Sequence, residues 1–112
     1  MRIKEDLYRA IRQHKGGQLQ DAERLYRNIL KFFPNHPEVN HNLAILIIQK
    51  GLPEQAIPFF HEALAADANQ GAYWVNYIDT LICVGEYDKA RLLLSHGRQE
   101  GLIGDAVDQL EA

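Results

Sequence analysis

The chain has one cysteine, Cys83, so no disulfide can form within it, and the sequence fits a reducing, cytoplasmic compartment. It also lacks any apolar run of the roughly 18 residues that a membrane-spanning helix needs. Its opening, Met1-Arg2-Ile3-Lys4-Glu5-Asp6, carries no apolar stretch of the kind a secretory leader needs. Neither a membrane span nor secretion is expected. An excess of positive charge is missing as well: 12 basic against 15 acidic side chains give a formal net charge of −3, with no electrostatic footprint for nucleic acid. Four prolines, eight glycines, 46% hydrophobic and 24% charged residues exclude collagenous, low-complexity and disordered classes. The 112 residues suffice for one domain, 1–112, with a working core.

Catalytic and metal-binding constellations are absent from the sequence too. It holds no Gly-rich phosphate loop, no Gly-x-Ser-x-Gly, no His-Glu-x-x-His and no paired-cysteine spacing. The histidines at 14, 36, 41, 61 and 96 include no i,i+4 pair on one helix. His36 and His41 stand five apart across a helix start. Cys83 follows Asp79 at one helical turn, without the positioned base a nucleophilic thiol requires. The reading predicts no enzyme, no metal and no cofactor.

What is present is a repeat. Gly17, Gly51 and Gly85 recur at one constant interval, and Ala22, Ala56 and Ala90 follow each glycine by five. Tyr26, Phe60 and Leu94 continue the frame as large apolar residues. The chain divides as 3–36, 37–70 and 71–104, with 105–112 left over. Within a unit the first stretch carries helical spacing, as in Val39, Leu43, Leu46 and Ile47. The glycine ends that helix, and a second amphipathic helix follows through Ala56, Phe59, Phe60, Ala63 and Leu64. The recurring alanine allows two backbones to approach closely. Pro34 and Pro37 punctuate the first handover between units. Pro58, inside a second helix, suggests a kink. The expected fold is an all-α array of antiparallel helix pairs.

A helix–turn–helix unit of about 34 residues with this Gly, Ala and large apolar pattern resembles the tetratricopeptide repeat (TPR). Gly85-Glu86-Tyr87-Asp88-Lys89-Ala90 is the best local match, Trp74 sits where the motif favours Trp, and Leu43-Ala44 approximates its Leu-Gly pair. The resemblance implies three repeats in a right-handed superhelix, with a short capping helix at 105–112. Residues 14–37 are similar to bacterial repeat segments often found before glycosyltransferase or sulfotransferase domains. Arg9 and Gln13 depart from the motif, which predicts a rotated or loosely packed first helix with Leu7, Ala10 and Ile11 as its apolar face. Gly97, Leu102 and Gly104 depart from it in the third unit, whose second helix is expected to stop near Gly97 or Gly101.

In such an array the first helix of each pair lines the concave surface. The resemblance thus assigns to the groove Leu7, Ile11, His41, Asn42, Ile45, Ile48, Val75, Asn76, Asp79 and Ile82, a strip whose apolar members mark an interface. Asn42 and Asn76 stand one repeat apart and point the same way from adjacent units. Their amides suit an extended peptide backbone, as in the similar asparagine ladders of O-linked N-acetylglucosamine transferases, or they brace a neighbouring helix. His41 and Asp79 would tune specificity. The basic clamp of chaperone-binding relatives is replaced here by Leu7, Ile11, Ala72 and Asn76, which disfavours chaperone C-terminal tails.

The expected function is therefore non-enzymatic protein–protein interaction with a protein or extended peptide, without nucleic acid or membrane. The alternatives are a self-assembling homo-oligomeric scaffold and a substrate-docking appendage of a transferase. Self-assembly is suggested by charge, since residues 1–36 carry net +4, 37–70 net −3 and 71–112 net −4. It is suggested also by Leu102, Ile103, Val107 and Leu110, which an incomplete cap leaves in need of cover.

Overall fold

The computed structural model describes residues 2–110. Among these residues seven helices follow one another: α1 (Ile3–Lys15), α2 (Leu19–Phe32), α3 (Pro37–Gln49), α4 (Pro53–Ala66), α5 (Gly71–Cys83), α6 (Tyr87–Gln99) and α7 (Asp105–Leu110). No strand occurs among the described residues. Residues 111 and 112 of the expected cap lie outside them.

Each helix pair turns on a glycine. Gly17, Gly51 and Gly85 have φ of 82°, 83° and 86°, a left-handed conformation that an L side chain disfavours. The following residue then donates back across the helix end, Gln18 to Gln13 O at 2.8 Å, Leu52 to Ile47 O at 3.2 Å and Glu86 to Leu81 O at 2.8 Å. These bonds satisfy carbonyls that a helix terminus otherwise leaves open. The same device closes α6, where Leu102 donates to Gly97 O at 2.8 Å and Gly101 has φ 95°. The helix thus passes through Gly97 and ends before Gly101. Across Pro58, which is exposed, α4 stays helical without interruption.

Handover between pairs uses side chains. His36 caps α3 by accepting from Val39 N at 3.3 Å, with Pro37 in the first turn. The recurring alanines lie in the interior: Ala22, Ala56 and Ala90 are all buried. One core cluster runs from Ala10 through Tyr26, Ile29, Leu43 and Ile47 to Phe60. A second joins Leu64, Trp74, Ile78, Leu81, Leu94, Leu102 and Val107, and the half-buried Tyr77 packs against both. On α1 the buried side is Ala10 with Leu7 and Ile11 beside it, while Arg9 is exposed and Gln13 half-buried with its Oε1 unpartnered.

α7 begins one repeat interval after the start of α5, as α5 does after α3 and α3 after α1. It lies against α5 in the way α1 lies against α3. It thus packs at the end of the array in the position that a first helix takes in each pair.

Candidate functional site

α1 touches α3 and α5 touches α7, and side chains join α3 to α5 through His41, Tyr73 and Asn76; these odd-numbered helices form the inner side of the array. Two histidine bridges tie the inner helices together. His14 Nε2 lies 2.6 Å from Gln49 Oε1 and its Nδ1 3.0 Å from the Tyr26 hydroxyl. Gln49 Oε1 can only accept, so His14 Nε2 is the donor of that pair. His41 Nε2 stands 3.3 Å from Asn76 Nδ2. The two bridges have the same separation in sequence.

Of the residues assigned to the groove, Leu7, Ile11, Asn42, Ile45, Ile48, Val75 and Asn76 are half-buried on these helices, and Asp79 is exposed. Leu7, Ile45 and Ile48 rest on the first core cluster and Val75 on the second. Val75 and Asn76 border a cavity of about 330 Å³ between α5 and α7, with Ala72, Ile103 and Ala106. The Asn42 amide has no hydrogen-bond partner among the described residues; Asn76 gives its amide to His41.

His41 and Ile82 sit differently from a groove lining. His41 is buried, its ring 4.5 Å from Tyr73 and 5.7 Å from Phe60, because α5 packs over it. Burial pushes its pKa below the usual histidine value, and its buried Nδ1 lacks a partner. Ile82 lines a cavity of about 740 Å³ at the end of the array, with Ile78, Leu94 and Leu110. Of the four residues assigned to self-association, Leu102 and Val107 are buried inside their own chain, Val107 at 2% exposure. Leu110 is half-buried and Ile103 is 82% exposed. Leu102 covers Trp74 and Gly97, so the short cap seals more of the end than its length suggests.

Sequence reasoning did not foresee the bridges. The signal was present as two histidine–amide pairs, 14/49 and 41/76, at one common separation. Nor did it foresee the field of Glu38. Burial first, and the Glu38 charge second, raise Tyr26 to about 12. The same two causes come first for Tyr73, with the Asp67 charge third, and raise it as well. No group of three or more potential metal ligands occurs among the described residues, and no described helix is long and apolar enough to cross a membrane.

A sequence model described as tetratricopeptide repeat matches residues 14–74, more than half of the chain, and the chain belongs to that family. No curated protein matches the sequence significantly. Among solved structures it is similar to the yeast Sti1 TPR2B domain in complex with pHsp70, at a TM-score of 0.81 and 21% identity, covering 96% of this chain and 90% of that one. It is similar to the Yersinia enterocolitica type III secretion chaperone SycD in complex with a peptide of the translocator YopD, at 0.80 and 15%, covering 97% and 83%. It is also similar to Pseudomonas aeruginosa pilF, at 0.77 and 20%, covering 94% of this chain but 48% of that one, about half its length. These likenesses show an all-helical repeat superhelix of three helix pairs with a C-terminal helix.

Proposed function

We propose that the inner face built by α1, α3 and α5 is a docking surface for an extended peptide, and that the chain is a non-enzymatic protein-interaction module. The observation that carries this reading is the Asn42 amide, without a partner among the described residues, beside half-buried Ile45 and Ile48, one repeat before Asn76 with Val75. Apolar side chains there supply affinity, and the amides pair with a peptide backbone. Asp79, exposed one turn beyond Asn76, sets charge preference. His41 takes a supporting part, because its bond orients Asn76.

The peptide complex of SycD and the pHsp70 complex of Sti1 support the reading at the level of fold. A clamp for chaperone tails is not proposed, since Leu7, Ile11, Ala72 and Asn76 offer no cation to a terminal carboxylate. Similarity of residues 14–37 to segments preceding transferase domains favours a substrate-docking role beside such an enzyme as its setting.

The test is selection of a random-peptide phage library on the immobilised protein, with winners measured against an Asn42→Ala/Asn76→Ala variant of equal helicity. Loss of tenfold or more in affinity is expected. Equal affinity for both proteins sinks the asparagine part of the reading. A second reading, self-association, is favoured by the 82% exposure of Ile103 beside the cavity between α5 and α7. Light scattering across a hundredfold concentration range distinguishes it.

A further inference from the structure

The two histidine bridges respond differently to a proton. At His14 the Gln49 carbonyl accepts from Nε2. That bond survives when the ring takes a second proton on Nδ1, where the Tyr26 hydroxyl accepts as readily as it donates. At His41 the partner is Asn76 Nδ2, which can only donate. Nε2 is therefore the acceptor of a neutral ring, and the ring proton sits on Nδ1, buried without a hydrogen-bond partner. A second proton on His41 has one place to go, Nε2, where it faces the Asn76 N–H.

The ring contacts of His41 are aromatic, Phe60 of α4 and Tyr73 of α5. Glu38, one turn back on α3, and Asp67, just past α4, both act on the Tyr73 phenol. Their charges favour an imidazolium; burial disfavours it and prevails, holding His41 below the usual histidine value. Glu38 acts also on Tyr26 of α2. Burial keeps the Tyr77 phenol of α5 neutral, and His61 of α4 meets that ring edge-on. Glu54 and Glu62 of α4, and Asp79 and Cys83 of α5, are exposed.

With Nδ2 turned to His41, Asn76 Oδ1 has no partner among the described residues and is the atom free to accept a peptide N–H. A half turn of the amide about its Cβ–Cγ bond gives Oδ1 to the protonated ring and puts the NH₂ group where the carbonyl stood. We propose that His41 and Asn76 form a proton-operated latch: a proton taken up by His41 reverses the donor–acceptor face of Asn76 and releases a peptide docked on the inner side. The latch rests on the docking role proposed above for that side. Its sign is fixed, since the peptide is held while His41 is neutral and let go on acidification. Linkage makes the effect reciprocal, so a docked peptide makes His41 harder to protonate.

The latch is tested first without a peptide. Long-range proton–nitrogen NMR spectra from pH 7.5 to pH 4.5 are expected to show His41 protonated on Nδ1 alone at the upper end. The Asn76 side-chain amide is expected to shift with the His41 midpoint. A His41 proton on Nε2 at pH 7.5, or an Asn76 amide indifferent to pH, overturns the proposal. Random-peptide phage pools are then selected at pH 7.5, one on the parent and one on His41→Gln, and each is washed from its own protein at pH 4.5. Glutamine can accept from Asn76 but does not titrate, and His14 and His36 are common to both proteins, so the comparison isolates His41. The parent is expected to release at least tenfold more of its pool than His41→Gln. Equal release overturns the latch and leaves the docking surface standing, whereas a parent that enriches no pool at pH 7.5 fails the docking surface and the latch with it. Circular dichroism at pH 4.5 is expected to keep the helical signal; its loss assigns the release to unfolding and overturns the proposal.

Discussion

Asn40 and Trp74 hold the same place in adjacent repeats and make the same bond. Asn40 Nδ2 donates to Pro34 O at 3.0 Å, and Trp74 Nε1 donates to Ala68 O at 2.8 Å. Each side chain reaches back by the same step and closes the loop that enters its helix. Asn40 also donates to His36 O at 3.0 Å. Both side chains are buried, so an amide and an indole fill one structural position through the N–H they share. Asn40→Ala removes both bonds and is expected to cost about 1–3 kcal/mol, the penalty of an unsatisfied buried group. Trp74→Phe keeps most of the ring and is expected to cost no more than that. Urea denaturation of the two variants checks this; an Asn40→Ala midpoint equal to that of the parent would refute the equivalence.

The buried His41 makes stability depend on pH with a definite sign. Its folded pKa lies below the usual histidine value because burial disfavours the imidazolium. Between the folded pKa and about 6.5 the unfolded chain binds the extra proton, so stability is fully present above that range and declines as pH falls through it. Protonation also puts a donor on Nε2, opposite the Asn76 N–H it now accepts from. The melting temperature of the parent relative to His41→Gln is expected to fall between pH 7 and pH 5. An advantage that grows on acidification contradicts the assignment of a neutral acceptor.

Gly51 and Gly85 test backbone against packing. An added Cβ meets nothing within 4 Å at either position, so sterics with neighbours impose no penalty. Their φ values of 83° and 86° do. Gly51→Ala and Gly85→Ala are each expected to destabilise by about 1–2 kcal/mol. Asn, which tolerates this conformation better, is expected to cost less. A ranking of Ala above Asn in thermal melts contradicts this origin.

The same glycines explain why so much of the fold was legible in the sequence. A left-handed turn admits few residues, so Gly17, Gly51 and Gly85 mark the period unmistakably, and Ala22, Ala56 and Ala90 mark the close approach that follows. The inner face was less legible. A residue such as His41 occupies a groove position by phase, yet α5 covers it, and phase alone does not report how far a neighbour overlaps. Val107 is similar: two turns of helix bury it because Leu102 folds back on Trp74 and brings the cap close. The cavity of about 650 Å³ bordered by Leu64, Trp74, Tyr77 and Leu93 was not foreseen, since it arises where α4 and α6 make no substantial contact, which no local pattern encodes.

Gly97 is confined by its neighbours, although its backbone conformation is ordinary. A Cβ there would stand 2.8 Å from Leu102 Cδ2 and 3.0 Å from Trp74 Cε3. The leucine tip can rotate away, but the indole is held by its bond to Ala68 O. Gly97→Val is therefore expected to cost about 1–3 kcal/mol through overpacking. Combining it with Leu102→Ala is expected to cost less than the sum of the single changes, because the cavity of one accepts the volume of the other. Strict additivity in urea titrations would show that the indole alone opposes the new side chain.

Ile103 and Val107 separate the surface of the cap from its interior. Ile103 is 82% exposed and Val107 2%, although they stand close in sequence. Val107→Asp places a charge in the second core cluster and is expected to unfold the end of the array, lowering stability by several kcal/mol. Loss of an oligomer in that variant therefore reports unfolding as readily as a lost interface. Ile103→Asp removes exposed apolar surface alone and is expected to leave stability within the range of ordinary surface changes, about 0.5 kcal/mol. Its mass by light scattering is thus the clean measure of self-association through this end. If the parent forms a dimer and Ile103→Asp is a folded monomer, the open end of the array holds copies together; if both have the same mass, Ile103 takes no part.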